Sequence, residues 1–272
     1  MQIDAHQHFW KYDADRYGWI EDERLHRNFF PEDLKPLLDL HNFNGCIAVQ
    51  ADQSEAETRF LLKLAQQYTF IKAVIGWVDL SAENVEDVLG EFSENKNFKG
   101  VRHTIYDDRG EFMAAPNFRR GISKLAQFNL VYEILVFPYQ LKAAVNLVNK
   151  FPEQRFVLNH MAKPAVFCKP SAKWISGIEE LGRNKNVFCK ISGLLSTAGT
   201  HIENKPFFTP ILEVVFKSFS EDRLIFGSDW PVSLSGGTYA DNIKLIENYV
   251  SRKDKNLQSK IFGINAQRCY CL

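Results

Sequence analysis

Residues 2–8 read Gln2-Ile3-Asp4-Ala5-His6-Gln7-His8. A short apolar run, 2–5, leads straight into two histidines spaced i, i+2. The spacing predicts a first β-strand with chemistry at its C-terminal end. A strand repeats every two residues, so His6 and His8, with Asp4, are expected on one side. A doubly wound open sheet usually carries a glycine-rich phosphate turn after its first strand. Imidazoles occupy that place here.

Seven further runs follow at 45–50, 71–78, 98–103, 130–136, 155–160, 187–192 and 223–228. Each is short, rich in β-branched or aromatic residues, and ends in polar ones, as strands do. Between them lie helical stripes: Leu61, Leu64, Ala65 and Tyr68; Phe118, Ile122, Leu125 and Ala126; Leu141, Ala144, Val145 and Val148. A wider one holds Phe208, Ile211, Leu212, Val215, Phe216 and Phe219. Stripes of this kind pack against a sheet. Pro31, Pro116 and Pro138 sit where first helical turns start. Eight βα units in 272 residues fit an α/β fold, the (β/α)8 TIM barrel, for which ~250 residues is typical. No linker or low-complexity tract divides the chain, so 1–272 reads as a single domain.

Lys+Arg and Asp+Glu both total 33, giving zero formal net charge. That excludes nucleic acid or an anionic membrane surface as the main partner, since both need a basic excess. Cys46, Cys168, Cys189, Cys269 and Cys271 form no CxxC pair and no even set, which points to a reducing compartment. No signal-length apolar stretch follows Met1 and no window reaches membrane-span length, so a cytoplasmic location is expected. No GxGxxG, GxxxxGK[ST] or GxSxG motif is present. Nucleotide binding and serine-hydrolase chemistry therefore lack support.

Functional groups of a barrel gather at the C-terminal ends of its strands. Those ends carry His6 and His8, Gln50, Trp77, Arg102 and His103, Glu133, His160, Lys190 and Asp229. Paired imidazoles hold a metal, polarise a carbonyl or shuttle protons; the alternative is a hydrogen-bonded pair without a role. Strands one and eight are neighbours in a closed barrel, which puts Asp229 beside His6 and His8 as a candidate general base. Its alternative is a turn Asp before Pro231. Of the adjacent Arg102 and His103, one is expected to face the mouth. Lys190 either binds a substrate oxygen or snorkels outward, and Glu133 needs a cationic partner such as Lys190 or Arg102. Trp77, Trp230 and Trp10 suit stacking on a sugar ring or plain packing. Loops 10–32, with Trp19, and 193–207, with His201, Asn204 and Lys205, are candidates to cover the mouth.

The string Ile3-Asp4-Ala5-His6-Gln7-His8-Phe9-Trp10 resembles the start of the amidohydrolase superfamily, in its branch of amidohydrolase-2-type sugar lactonases. The resemblance continues through Gly76-Trp77-Val78-Asp79-Leu80, Gly100-Val101-Arg102-His103 and His160-Met161-Ala162-Lys163-Pro164. It ends with Cys189-Lys190-Ile191-Ser192-Gly193-Leu194 and Phe226-Gly227-Ser228-Asp229-Trp230-Pro231-Val232. It is nearest to L-fuconolactonase- and L-rhamnonolactonase-like proteins. It implies a (β/α)8 barrel that opens an aldonolactone to the free sugar acid, with His6, His8, His160 and Asp229 as active-site positions; Asp229 is then expected as general base and His6, His8 and His160 as the groups that polarise the carbonyl. Gln50, Trp77, Arg102, Lys190 and Trp230 are then candidates to bind the substrate. Binuclear members of the superfamily use a bridging Lys on strand four and a His on strand five; Arg102, His103 and Glu133 stand there instead. Some members of the branch work without a metal. No cofactor is therefore obligatory on this reading, and a single Zn²⁺ on His6, His8 and Asp229 stays open. The partner expected is a small-molecule sugar lactone; no oligomeric state can be read. A lactone isomerase, a metal-dependent decarboxylase and a non-catalytic binding barrel are the alternatives.

Overall fold

The computed structural model describes residues 1–104, 110–204, 206–251 and 255–272, the side chains of Asn204 and Lys255 excepted. Lys205 of the 193–207 loop lies outside the described residues.

Eight parallel strands follow one another in chain order: β1 (Ile3–Gln7), β2 (Gly45–Val49), β3 (Ile71–Gly76), β4 (Phe98–Thr104), β5 (Val131–Leu135), β6 (Phe156–Leu158), β7 (Val187–Ile191) and β8 (Leu224–Phe226). They form a nearly closed barrel surrounded by helices, the (β/α)8 fold expected. The β1–β8 seam is closed by single contacts. Gln7 bridges Trp230, the His8 N–H donates to Trp230 O at 2.7 Å, and the Asp229 N–H donates to His6 O at 2.8 Å.

The expected stripes face the strands, except at Ala126, which is exposed in the 3₁₀ turn Ala126–Phe128. Leu61, Leu64 and Ala65 are buried on Glu55–Gln67, and Ile211, Leu212 and Val215 on Phe208–Ser218. The Ser54 side chain caps the first of these by accepting from the Glu57 N–H. Pro31 and Pro116 open Pro31–Leu40 and Pro116–Leu125, and Pro138 opens a 3₁₀ turn.

The barrel interior is a separate apolar cluster that includes Ile3, Ala5, Ile47, Val49, Val131, Val157 and Ile225. Ala266, Cys269 and Tyr270, from the helix Asn265–Tyr270, join it. The last helix of the chain therefore plugs the end where the strands start.

One local expectation fails. Asp4 does not share a side with His6 and His8. Its carboxylate accepts from Ser228 N at 2.9 Å, Ser228 Oγ at 2.6 Å and the Tyr239 hydroxyl at 3.1 Å. Tyr239 belongs to the cluster between strands and helices. The β1–β2 register shifts between Asp4 and Gln7, and this irregularity breaks the period-2 count. Asp4 becomes a clasp across the seam, and burial raises its carboxyl to about 6.

Candidate active site

At the C-terminal ends of the strands opens a cavity of about 1020 Å³, walled by His8, Arg102, His160, Lys163, Ser196 and Asp229 among others. Asp229 is its centre. One carboxylate oxygen, Oδ1, lies 3.4 Å from His8 Nε2, 3.6 Å from His6 Nε2 and 3.9 Å from His160 Nε2. The other, Oδ2, accepts from Ser196 Oγ at 2.6 Å. The His6 ring lies 5.0 Å from the His8 ring and 4.4 Å from the His160 ring, centroid to centroid.

The local backbone makes this convergence. Asp229 sits at φ 58, and His160, Met161, Ala162 and Lys163 form four successive left-handed residues. Such conformations cost an L-residue roughly 1–2 kcal/mol each and persist only where surroundings enforce them. Two glycines leave room for the rings. A Cβ on Gly193, at φ +74, would stand 2.5 Å from His160 Nδ1, and one on Gly227 would stand 2.4 Å from His6 Cβ.

Hydrogen bonds set the ring states. Val49 O, which only accepts, lies 2.8 Å from His8 Nδ1. That nitrogen therefore carries the hydrogen, and in the neutral ring the lone pair sits on Nε2, facing Asp229. His160 Nδ1 meets Ser192 Oγ at 2.9 Å. Burial holds His6 well below its ordinary pKa, lowers His8 and pushes His160 down to about 3. Burial alone would raise the Asp229 carboxyl, but His160, His8 and the Ser196 hydroxyl outweigh it and hold Asp229 below the usual carboxylate range. With the rings neutral near pH 7 and the His8 lone pair turned to the carboxylate, Ser196 Oγ is the side-chain donor that holds Asp229 there. The site at neutral pH is one carboxylate among three neutral imidazoles.

Residues 3–272 match the family described as Amidohydrolase. The chain is 35% identical over 286 residues to an L-fucono-1,5-lactonase of Burkholderia multivorans, covering 100% of this chain and 96% of that protein. It is 34% identical over 278 residues to the L-fucono-1,5-lactonase of Burkholderia ambifaria, covering 99% and 95%. The chain belongs to the amidohydrolase family. The fold agrees: a crystal structure of an amidohydrolase from Burkholderia multivorans with bound zinc superposes with a TM-score of 0.91 at 34% identity, over 100% of this chain and 99% of that one.

Within this amidohydrolase, the other sequence candidates divide. Arg102 lines the cavity. Its guanidinium donates to Gln50 O and to Gln50 Oε1 at 3.1 Å, and lies 3.3 Å from His6 Nε2. Gln50 is 1% exposed and thus holds Arg102 rather than facing the cavity. His103 turns the other way, among the rings of Trp77, Phe118 and Tyr132.

Besides Gln50, three substrate-binding candidates stand elsewhere than expected. Trp230 is 2% exposed and packs edge-on against Phe9 and Phe29. The half-buried Trp77 ring faces His103. Neither walls the cavity. Lys190 is fully buried and pairs with Glu133 Oε1 at 2.6 Å; the Tyr270 hydroxyl donates to the same oxygen at 2.6 Å. Lys190 Nζ also lies 3.4 Å from His6 Nδ1. In the closed interior a nearby carboxylate offers an ammonium what snorkelling would otherwise require.

The 10–32 loop does reach the mouth, where Trp19, Ile20, Glu21, Asp22, Glu23, Arg24 and Leu25 wall the cavity. From the second loop come Ser196, Thr197, Gly199 and Thr200, but not His201. Sequence reasoning missed Ser196, Ser192 and Lys163 as site residues. Lys163 stands three positions after His160, and a left-handed turn that no glycine announces brings both to one wall.

Proposed function

We propose that this amidohydrolase opens a sugar lactone of the L-fucono-1,5-lactone type to the free aldonate. The observation that carries this reading is Asp229, ionised, anchored at Oδ2 by Ser196, with Oδ1 aimed at the three imidazoles. In a lactone ester this geometry suits a water held by Asp229. The carboxylate takes a proton as the water oxygen bonds to the carbonyl carbon. It returns that proton to the ring oxygen as the ring C–O bond breaks. The Arg102 guanidinium, fixed by Gln50, faces the developing oxyanion. Loss of one such donor typically costs ~2.7–4 kcal/mol of barrier. The half-buried Trp19 on the cavity wall, its Nε1–H bonded to Ala51 O at 2.9 Å, offers an apolar face to the sugar.

The donor set fits a divalent cation. Ligand atoms of His6, His160 and Asp229 lie within 4.8 Å of one another, all buried. The sequence had pointed to His6, His8 and Asp229. The His8 lone pair also faces the Asp229 carboxylate, so two acceptors look into one gap. Zinc suits imidazole and carboxylate ligands, and when bound it would supply Lewis-acid polarisation of the carbonyl.

The test is proton release in a pH-indicator assay on L-fucono-1,5-lactone and a panel of five- and six-membered aldonolactones. Turnover with free aldonate as product is expected, and Asp229→Asn abolishes most of it. Formation of a rearranged lactone, or full activity in Asp229→Asn, would overturn the reading. Exhaustive chelation followed by Zn²⁺ addition settles separately whether the cation is needed.

A further inference from the structure

Two lysines lie close to the catalytic floor, and they differ in what faces them. Lys190 is matched by Glu133 at 2.6 Å. Lys163 is half-buried on the cavity wall, and among the described residues no carboxylate pairs with it and no acceptor binds its ammonium. Its Nζ lies 5.1 Å from the centre of the Phe137 ring, which supplies a π-face and no anion. Burying a charge without a contacting partner is unfavourable, and here burial depresses the Lys163 pKa, an effect the Asp229 carboxylate across the cavity only partly offsets.

The backbone is built to keep it there. Lys163, at φ 46, ends the left-handed run that begins at His160. The turn is pinned by the Lys163 N–H to His160 O at 2.8 Å and by Trp174 Nε1–H to Met161 O at 2.9 Å. None of the four residues is glycine, so each carries the left-handed cost. A strained turn that presents an unmatched cation beside His160 is explained by an anion that arrives with the ligand.

Charge around the cavity says which end of the ligand that is. Arg102 and Lys163 line the cavity with Asp229, while Glu21, Asp22, Glu23 and Arg24 wall the mouth; Arg24 pairs with Asp22 at 2.6 Å, which leaves the exposed Glu21 and Glu23 to make the lip acidic. A carboxylate is repelled by that lip and drawn inward; hydroxyls suit the acidic lip as donors. Opening a lactone turns a neutral ester into a carboxylate close to Asp229, and that new charge needs a cation.

We propose that Lys163 binds the carboxylate generated from the lactone carbonyl, and so orients the sugar acid with its carboxyl end inward and its hydroxyl chain toward the acidic lip. This rests on the reading of the site as one that opens lactones.

The experiment is calorimetric binding of L-fuconate, and of L-fucitol as its carboxylate-free counterpart, to the wild type and to Lys163→Met, Lys163→Asn and Lys163→Arg. Asn accepts left-handed backbone, so Lys163→Asn covers the case in which Lys163→Met fails to fold. The neutral variants should lose about tenfold or more in L-fuconate affinity with L-fucitol affinity unchanged, and Lys163→Arg should retain most of it. Unchanged L-fuconate affinity in both neutral variants, or equal losses for both ligands, overturns the proposal. No measurable L-fuconate binding by the wild type also overturns it, whatever the hydrolysis assay shows. If lactones are not turned over but the carboxylate-selective loss is seen, the hydrolytic reading fails, and Lys163 is a carboxylate-binding residue of a site with another substrate.

Discussion

Ser196 Oγ donates to Asp229 Oδ2 at 2.6 Å, from the short helix Leu194–Ala198 that follows β7. Asp229 itself follows β8, so a hydroxyl from one βα loop orients the carboxylate of the next. With Oδ2 held, only Oδ1 is left to face the imidazoles. Ser196→Ala should lower kcat roughly tenfold with KM little changed, because proton transfer depends on that orientation. Asp229→Asn should lower it by about 10²–10⁴-fold, the usual size of a general-base contribution. Steady-state kinetics on the best lactone separates the two, and an unaltered kcat in Ser196→Ala would show that Oδ1 needs no anchor.

The pH profile follows from the same contacts. A base with a depressed pKa is lost only as pH falls through that depressed value, and Asp229 is held below 3.8. His160, pushed down to about 3, stays neutral over the same range. Lactonase kcat/KM should therefore be level from about pH 5 to 8, with no inflection near ~6.5, the ordinary imidazole pKa. Initial rates corrected for spontaneous ring opening test this. An acid limb centred between pH 6 and 7 would mean that a titrating imidazole is required.

The barrel was legible because its evidence is repetitive. Each of the eight runs meets a strand in the structure, shortened or shifted at its ends by a few residues. Strand order puts Asp229 beside His6 and His8, and His160 joins them as another strand end of the same barrel and through the family resemblance. What escaped the sequence depends on departures from regular geometry. Asp4 was placed on the wrong side because a register shift in β1 breaks the alternation. Lys163 was passed over because its approach to the cavity needs a left-handed run that lacks the usual glycine signal. The pairing of Glu133 with Lys190 is among the partnerships the sequence allows, and the structure makes it; what escapes the sequence is Tyr270, distant in the chain, which joins the pair inside the closed barrel, away from any substrate. Trp77 and Trp230 show that an aromatic at a strand end is as readily core as platform.

Lys190, Glu133 and Tyr270 tie the last helix to the barrel interior beneath His6. Removing one partner of a buried pair leaves the other charge uncompensated, at a cost of about 3–5 kcal/mol. Lys190→Met should be destabilised by that order, and Lys190→Met combined with Glu133→Gln should recover most of the loss. Urea unfolding of both variants and the wild type provides the comparison. A double variant no more stable than Lys190→Met would show that packing, not uncompensated charge, sets the penalty.

Glu57 makes stability itself depend on pH. It is 1% exposed, accepts from the Ala51 N–H at 3.1 Å and the Tyr17 hydroxyl at 3.0 Å, and burial raises its carboxyl from 4.5 to about 7. The folded protein therefore keeps this proton at pH values where the unfolded chain has released it. Stability contributed by Glu57 is full below pH 4.5, falls as pH rises to about 7, and is level above that. The total change is up to about 3 kcal/mol, since one pKa unit corresponds to ~1.36 kcal/mol. Asp4, raised from 3.8 to about 6, adds a slope of the same sign over its own window, so the wild-type curve alone does not isolate Glu57. Glu57→Gln cannot titrate. The stability difference between wild type and Glu57→Gln, measured by urea unfolding at pH 5 and pH 8, should shift toward the variant as pH rises. A difference that is constant across that interval would mean that Glu57 is already ionised in the folded protein at pH 5.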